Sequence, residues 1–222
     1  MCSLSSVIPE LQVQMNTGTR TTEFISKRQA QNLLDAAVFA YEQDRSLNLT
    51  ISVNLTKAGI CGEARHFMQQ FLKNMTDWLG RKTDGPHYLW VLENPPQRGL
   101  HVHIMVHWPG KHRDGLGKRL RKWLKRAGGR YRARVLDYQN LRQPGDPDGT
   151  GYGPNFVRYL LKGVDPASRR IYGQNLECEF QGVIKGKRSG TSESIGKAAR
   201  ARAGFTTLPP PYRQQLNRVF GF

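Results

Sequence analysis

Two histidines alternate with apolar residues in one strand-like segment, and a glutamate ends the strand-like segment before it. His101 and His103 are two residues apart, so in a β-strand both side chains project from the same face. Glu93 ends the aromatic and β-branched run 88–93, and the turn-forming link 94–99 predicts an antiparallel hairpin with a long loop. In that register Glu93 lies across from His101 or beside it. Two imidazoles and a carboxylate would then form a three-ligand site for a divalent metal, with open positions for a substrate oxygen.

A tyrosine and a lysine three residues apart are the second candidate pair. An isolated His-x-His is more often a surface-facing strand than a metal site, but Glu93 and the downstream Tyr159 and Lys162 favour chemistry. The sequence predicts a helix from near Asn155 to Gly163, in which Tyr159 and Lys162 are neighbours on one face. A phenol attacks a phosphodiester only when a base, a cation or a metal activates it.

These parts, in this order, resemble the rolling-circle replication initiators of the HUH endonuclease superfamily, which occur on small plasmids and single-stranded DNA phages. The resemblance covers roughly residues 47–165 and rests on a strand that ends in Glu, a Gln-Arg-Gly link, a His-hydrophobe-His strand and a later Tyr-x-x-Lys helix. In the initiators the tyrosine follows the histidine motif, as it does here. The fold this implies is an α/β (α+β) domain, with a central antiparallel β-sheet and packed helices in a ferredoxin-like or RRM-like arrangement.

The resemblance also implies a site and a reaction. Glu93, His101 and His103 would hold Mg2+ or Mn2+, while Tyr159 would attack the scissile phosphate to give a 5′-phosphotyrosine linkage and a free 3′-hydroxyl. Lys162 would orient Tyr159 or stabilise negative charge near it. The donor set alone also suits zinc or iron, and only the resemblance and the phosphate substrate favour Mg2+ or Mn2+.

The chain departs from one branch of this family. Phage-type initiators with two catalytic tyrosines place the second one four residues after the first, but position 163 is Gly. A single-tyrosine enzyme needs a second protomer or another nucleophile for a second cleavage, and Tyr152 is a backup candidate in a Gly- and Pro-rich loop.

The strong positive charge predicts a polyanionic partner. The 222 residues carry a formal net charge of +17 and a pI of about 10.2, which favours nucleic acid, although charge alone is also compatible with an acidic membrane surface. The resemblance implies that the nucleic acid is single-stranded DNA or an origin hairpin. Between residues 111 and 134 the only acid is Asp114, which could cap an amphipathic helix with its basic side chains facing outward. Trp90, Trp108 and Trp123 are conceivable base-stacking partners, with core packing as the alternative for each, more strongly for Trp123 on its apolar stripe. The candidate phosphate contacts are Lys118, Arg119, Arg121, Lys122, Lys125, Arg126 and Arg130.

The organisation expected from the pattern is one domain with appendages. Residues 1–45 form a leader and a covering helix capped by Ser26, residues 46–165 form the HUH endonuclease domain, and residues 166–222 form a basic extension. Strands are expected at 46–56 and 131–138. Three distant cysteines indicate reduced thiols, and the lack of an apolar span or secretory signal indicates a cytoplasmic protein without a membrane partner.

The resulting hypothesis is a metal-dependent single-strand DNA nickase and strand transferase that initiates rolling-circle replication. A host helicase and DNA polymerase would be partners, because the chain has neither a Walker loop nor a helicase segment. Three alternatives remain: a single-tyrosine HUH transposase, a non-catalytic nucleic-acid-binding protein on the same fold, and a metal-dependent hydrolase that uses water. The sequence does not indicate an oligomeric state.

Overall fold

A computed structural model describes residues 20–61, 64–141, 157, 159–169 and 179–207. The helices with defined bounds in these ranges are α1 (Lys27–Glu42), α2 (Arg65–Gly80), α3 (Leu116–Arg126) and α4 (Lys197–Arg202). The strands are β1 (Thr21–Thr22), β2 (Leu49–Asn54), β3 (Tyr88–Glu93), β4 (His101–Val106), β5 (Leu136–Asn140), β6 (Ile184–Lys185) and β7 (Ser189–Thr191).

A five-stranded antiparallel sheet is the centre of the fold. Its strand order is β5-β2-β4-β3-β7, and β1 pairs with β6 in a separate two-stranded ribbon. Within the segment β2-α2-β3-β4-α3-β5, the strands take the spatial order fourth, first, third, second, which is the split βαβ order of a ferredoxin-like unit. The predicted α+β class with a central antiparallel sheet is confirmed, and β4 lies in the middle of that sheet.

One face of the sheet packs against α2 and α3. Apolar residues of β2 and β4 alternate onto this face, where they meet the helical stripe that includes Phe71 and Met75 of α2 and Leu120 of α3. Trp78, Trp108 and Trp123 form an aromatic cluster there, with ring centroids 4.7 to 6.3 Å apart.

The other face packs against α1. Ser26 caps this helix as predicted: its side chain accepts a hydrogen bond from the Gln29 amide, and the Gln29 side chain accepts one from the Ser26 amide. The inner side of α1 contacts Leu89, Val91 and Met105 of the sheet. The face of the sheet that carries His101 and His103 is therefore also partly covered by α1 and contains an apolar core.

Three local predictions differ from the structure. Asp114 does not cap α3; the residue before the helix is Gly115, whose φ of 71° lies in the left-handed region that glycine tolerates, and no side chain caps this end. The strand expected at 131–138 lies instead at Leu136–Asn140, because 131–134 precede it without pairing to β2. The strand expected at 46–56 is the shorter β2.

The C-terminal part of the described chain packs onto the same sheet. β7 adds a fifth strand beside β3, and α4 contacts α1. The buried Arg200 holds α4 in place through hydrogen bonds to the Asn32 side chain (2.7 Å) and the Ile195 carbonyl (2.6 Å). The proposed division at residues 45 and 165 stays a prediction. In the part that the structure describes, no helix has both the length and the apolar character needed to cross a bilayer.

Candidate metal centre

The β3–β4 hairpin has the register that the sequence predicts. Glu93 pairs directly with His101, and Val91 pairs with His103. Because side chains alternate along a strand, Glu93 and both histidines project to the α1 side of the sheet. All three are buried, with 1% of Glu93, 6% of His101 and 7% of His103 exposed.

Three nitrogen atoms lie close to one carboxylate oxygen of Glu93. The distances from Glu93 Oε2 are 3.0 Å to His101 Nε2, 3.5 Å to His103 Nε2 and 3.0 Å to Lys162 Nζ. Lys162 is itself 8% exposed, so its ammonium group and the Glu93 carboxylate form a buried ion pair. Such a pair is costly to desolvate and keeps its geometry only where both partners are held in place.

Groups behind each histidine fix the orientation of its ring. His101 Nδ1 donates a hydrogen bond to the Gly99 carbonyl at 2.8 Å, and His103 Nδ1 lies 2.8 Å from Ser52 Oγ on β2. In neutral His101 the proton on Nδ1 leaves the Nε2 lone pair directed at Glu93 Oε2. A cation between two such acceptors would stabilise both, and metal-binding histidines characteristically use their second nitrogen in this way.

Burial and charge act in opposite directions on this cluster. Burial opposes ionisation of Glu93, but the close polar contacts with His101 and His103 and the positive charge of Lys162 hold its pKa well below the usual range. Burial lowers the pKa of His103, and this effect exceeds the raising effect of Glu93. The site therefore favours an ionised carboxylate and a neutral His103 imidazole, which are the protonation states that bind a metal.

The donor set fits a metal ion. The ligand atoms of Glu93, His101 and His103 all lie within 4.8 Å of one another. Glu93 Oε1 is buried and has no hydrogen-bond partner within the described part of the chain, so a carboxylate oxygen remains available for a ligand. This buried group could bind a metal ion. Its donors do not distinguish Mg2+ or Mn2+ from zinc or iron.

The structure brings Tyr159 and Lys162 to this cluster. The Tyr159 ring lies edge-on to the His103 ring, with 5.4 Å between centroids, and Lys162 Nζ lies 3.7 Å from the Tyr159 ring centroid. Tyr159 is helical and half-buried, and it is followed by a 3-10 turn at Leu161–Gly163.

The chain around Tyr159 is anchored to the segment that precedes α1. The Ile25 amide donates to the Gly163 carbonyl at 2.7 Å, and the Asp165 amide donates to the Ile25 carbonyl at 3.0 Å. The buried Val157 and Leu160 fix the segment in the α1-side core. The backup candidate Tyr152 lies outside the described residues.

Two side chains that the sequence did not single out also act on this site. Ser52 orients His103 and belongs to the polar face of the alternating segment 46–56. The sequence pattern indicates that polar face, but it does not indicate that Ser52 lies beside His103. Arg188 is fully buried and donates hydrogen bonds to Thr22 and to the Gly182 carbonyl. Burial lowers its pKa to about 10 against the raising effect of Glu93. Nothing marks Arg188 among the many cations of its region.

The predicted phosphate contacts do not join the metal cluster. Six of these cations lie on α3, the helix that covers the opposite face of the sheet. Arg130 follows that helix, is exposed, and donates its backbone amide to the Ala58 carbonyl. The suggestion that bases stack on Trp90, Trp108 or Trp123 is wrong, because all three rings are buried in the core.

Comparisons of the chain with protein-family models, with curated proteins and with solved structures found no match. The assignment of a function therefore depends on the geometry of the site and on the motif resemblance.

Proposed function

We propose that this protein is a metal-dependent single-strand DNA nickase and strand transferase that initiates rolling-circle replication. The observation that carries the proposal is the convergence of Tyr159 and Lys162 on the buried Glu93, His101 and His103. A metal centre alone is compatible with many reactions. A tyrosine against one of its histidines supports phosphoryl transfer to a protein nucleophile, in agreement with the motif resemblance.

The chain supplies a nucleophile and an electrostatic environment. Mg2+ or Mn2+ held by Glu93, His101 and His103 would polarise the non-bridging oxygens of the scissile phosphate. Tyr159 Oη attacks phosphorus, the new O–P bond joins the tyrosine to the 5′-phosphate, and the bond from phosphorus to the 3′-oxygen breaks. The phenol proton is released, and the departing 3′-oxygen takes up a proton to become a hydroxyl.

Lys162 serves as a positioning residue for this step. Its ammonium group bridges the Glu93 carboxylate and the Tyr159 ring, so it fixes the ring relative to the metal ligands and stabilises negative charge that develops on the phenol. The phosphotyrosine bond keeps much of the energy of the original diester. The 3′-hydroxyl of a DNA strand can therefore attack it and rejoin the strands without another energy source.

The experiment is capture of the covalent adduct. The protein is incubated with Mn2+ and a pool of single-stranded oligonucleotides of randomised sequence labelled at the 3′ end, since the tyrosine would retain the 3′ portion. We expect a labelled band that survives denaturation and that shifts to a nucleotide-modified Tyr159–Lys162 peptide after nuclease and trypsin digestion. Tyr159→Phe should reduce the adduct by roughly 10⁴-fold or more.

Two control variants separate the roles. Tyr138→Phe removes an exposed phenol of β5 and should leave the adduct intact, while His103→Ala should abolish the adduct together with Mn2+ binding. Cleavage that persists in Tyr159→Phe without an adduct would contradict the proposal and favour hydrolysis by water. Mn2+ binding without cleavage of any pool would reduce the protein to a binding module.

A further inference from the structure

The basic face of α3 and the metal centre lie on opposite sides of the sheet. Leu120, Trp123 and Leu124 of α3 pack on the α2 side, whereas Glu93, His101 and His103 project toward α1. The sheet and the body of α3, which is about 10 Å across, separate the outward cations from the metal ligands. A DNA strand that reacts at Tyr159 would have to pass around an edge of the sheet to reach the outward cations of α3.

A positively charged groove runs between α2 and α3. It has a volume of about 570 Å3, and among the described residues that line it the only acid is Asp77, whose carboxylate lies 2.6 Å from Lys73 Nζ. None of the lining cations forms an ion pair with a described acid. These cations are Arg81, Lys118, Arg119, Lys122 and Arg126; with Arg121 and Lys125 on the other flank of α3, they are called the α2–α3 face below.

Arg119 is held in this groove by stacking on Trp78, and not all of its N–H groups are hydrogen-bonded within the described residues. Its guanidinium carbon lies 4.2 Å from the centroid of the Trp78 ring, so the planar group rests on the indole. Arg119 Nη1 is buried and has no hydrogen-bond partner among the described residues. A guanidinium that is held flat on an indole and forms no ion pair with a described acid is suited to bind a phosphate oxygen.

The arrangement of charge and aromatic rings favours a duplex over a single strand. Lys118, Lys122 and Arg126 are spaced four residues apart in one row along the helix, and Arg121 and Lys125 form a second row. Single-strand binders offer open aromatic faces to the bases. Here Trp78 lies between Arg119 and Trp108, and Arg121 covers the Tyr131 ring at 4.5 Å.

We infer that the α2–α3 face binds the phosphate backbone of a DNA duplex, a second DNA segment distinct from the strand proposed to react at Tyr159. Binding here rests on phosphate contacts, so it is independent of base sequence and strongly dependent on salt. This inference stands on charge and geometry alone and does not require the nicking reaction.

Fluorescence anisotropy with a labelled 20-base-pair duplex of arbitrary sequence tests the inference, in EDTA and about 0.1 M salt. Lys118→Gln, Lys122→Gln and Arg126→Gln are combined in one variant. The matched control combines Arg28→Gln, Lys197→Gln and Arg202→Gln, which are exposed cations of α1 and α4. Both variants lower the net charge by three, and thermal unfolding confirms that both remain folded.

We expect the α3 variant to lose duplex affinity on the order of 100-fold and the control less than about threefold, because each lost phosphate contact removes its share of counterion release. Equal losses in both variants would show that net charge alone binds DNA and would overturn the inference. A single strand that binds more tightly than the duplex would point to stacking on the exposed Tyr138 and would also overturn it. Because EDTA suppresses nicking, failure of the adduct experiment leaves this result intact.

Discussion

The two faces of the sheet handle charge in opposite ways. On the α1 side, the charged groups Glu93 and Lys162 are buried together and neutralise each other at 3.0 Å. On the α2 side, the cations of α3 other than Arg119 are exposed to solvent, and none has an acidic partner among the described residues. The buried arrangement costs desolvation and fixes atoms in place, as chemistry requires. Because the exposed cations are not neutralised by described acids, they can attract a polyanion.

Salt should weaken DNA binding at the α2–α3 face far more than metal binding at the buried centre, and this is the largest difference that we expect. Raising NaCl from 50 to 200 mM should weaken duplex binding by about 10³-fold if roughly six cations contact phosphates. Mn2+ binding at the buried centre should change by about threefold at most, since salt screens buried charges weakly. Anisotropy measures the first and isothermal titration calorimetry the second. A parallel decline of both affinities would mean that the metal ligands are open to solvent.

Much of the α1-side site could be predicted from the sequence, because its parts are local. The period-two alternation and the short link leave few registers for the hairpin, so Glu93 lies opposite His101 as expected. Tyr159 is different: it stands far along the chain, and only the motif resemblance placed it beside His103.

The remaining features depend on contacts that no local pattern records. The amphipathic pattern of α3 indicates its buried side, but the sheet face it covers follows from the chain crossovers. Ser52 belongs to a polar row whose neighbour depends on β2 pairing with β4. Arg188 looks like any other cation of a basic tail, although it is fully buried.

The support behind His103 should be measurable as a smaller effect on metal binding. Ser52→Ala removes the hydroxyl that lies 2.8 Å from His103 Nδ1, and Mn2+ affinity should fall about 10-fold because the ring loses its orientation. The matched control is Thr50→Val, which removes a hydroxyl from the same face of the same strand, opposite Met105. Calorimetry measures the Mn2+ affinity of both variants. An equal loss of Mn2+ affinity in Thr50→Val would assign the effect to packing. Duplex binding should be unchanged in both variants.

His107, the residue directly after β4, provides a comparison with the buried histidines His101 and His103. His107 is only half-buried and its Nδ1 donates to the Ser46 carbonyl, while its backbone amide donates to the carbonyl of His87 on the neighbouring chain segment. Burial lowers the pKa of both His87 and His107, and the nearby charge of Arg45 lowers each further. These two histidines respond to burial without belonging to a ligand cluster.

Their titration predicts the smallest of these effects. A histidine whose folded pKa is depressed binds protons more readily in the unfolded chain, so its stabilising contribution is present above the unfolded pKa of about 6.5 and is lost as pH falls toward the folded value. Thermal unfolding in EDTA between pH 7.5 and 5.5 should therefore show a stability loss on acidification that is shallower in the double variant His87→Gln, His107→Gln. This range stays above the pH at which Glu93 would become protonated in the unfolded chain. If the double variant followed the wild-type pH dependence, the loss would belong to the buried His103 instead, and the far end of the strand would carry no pH response.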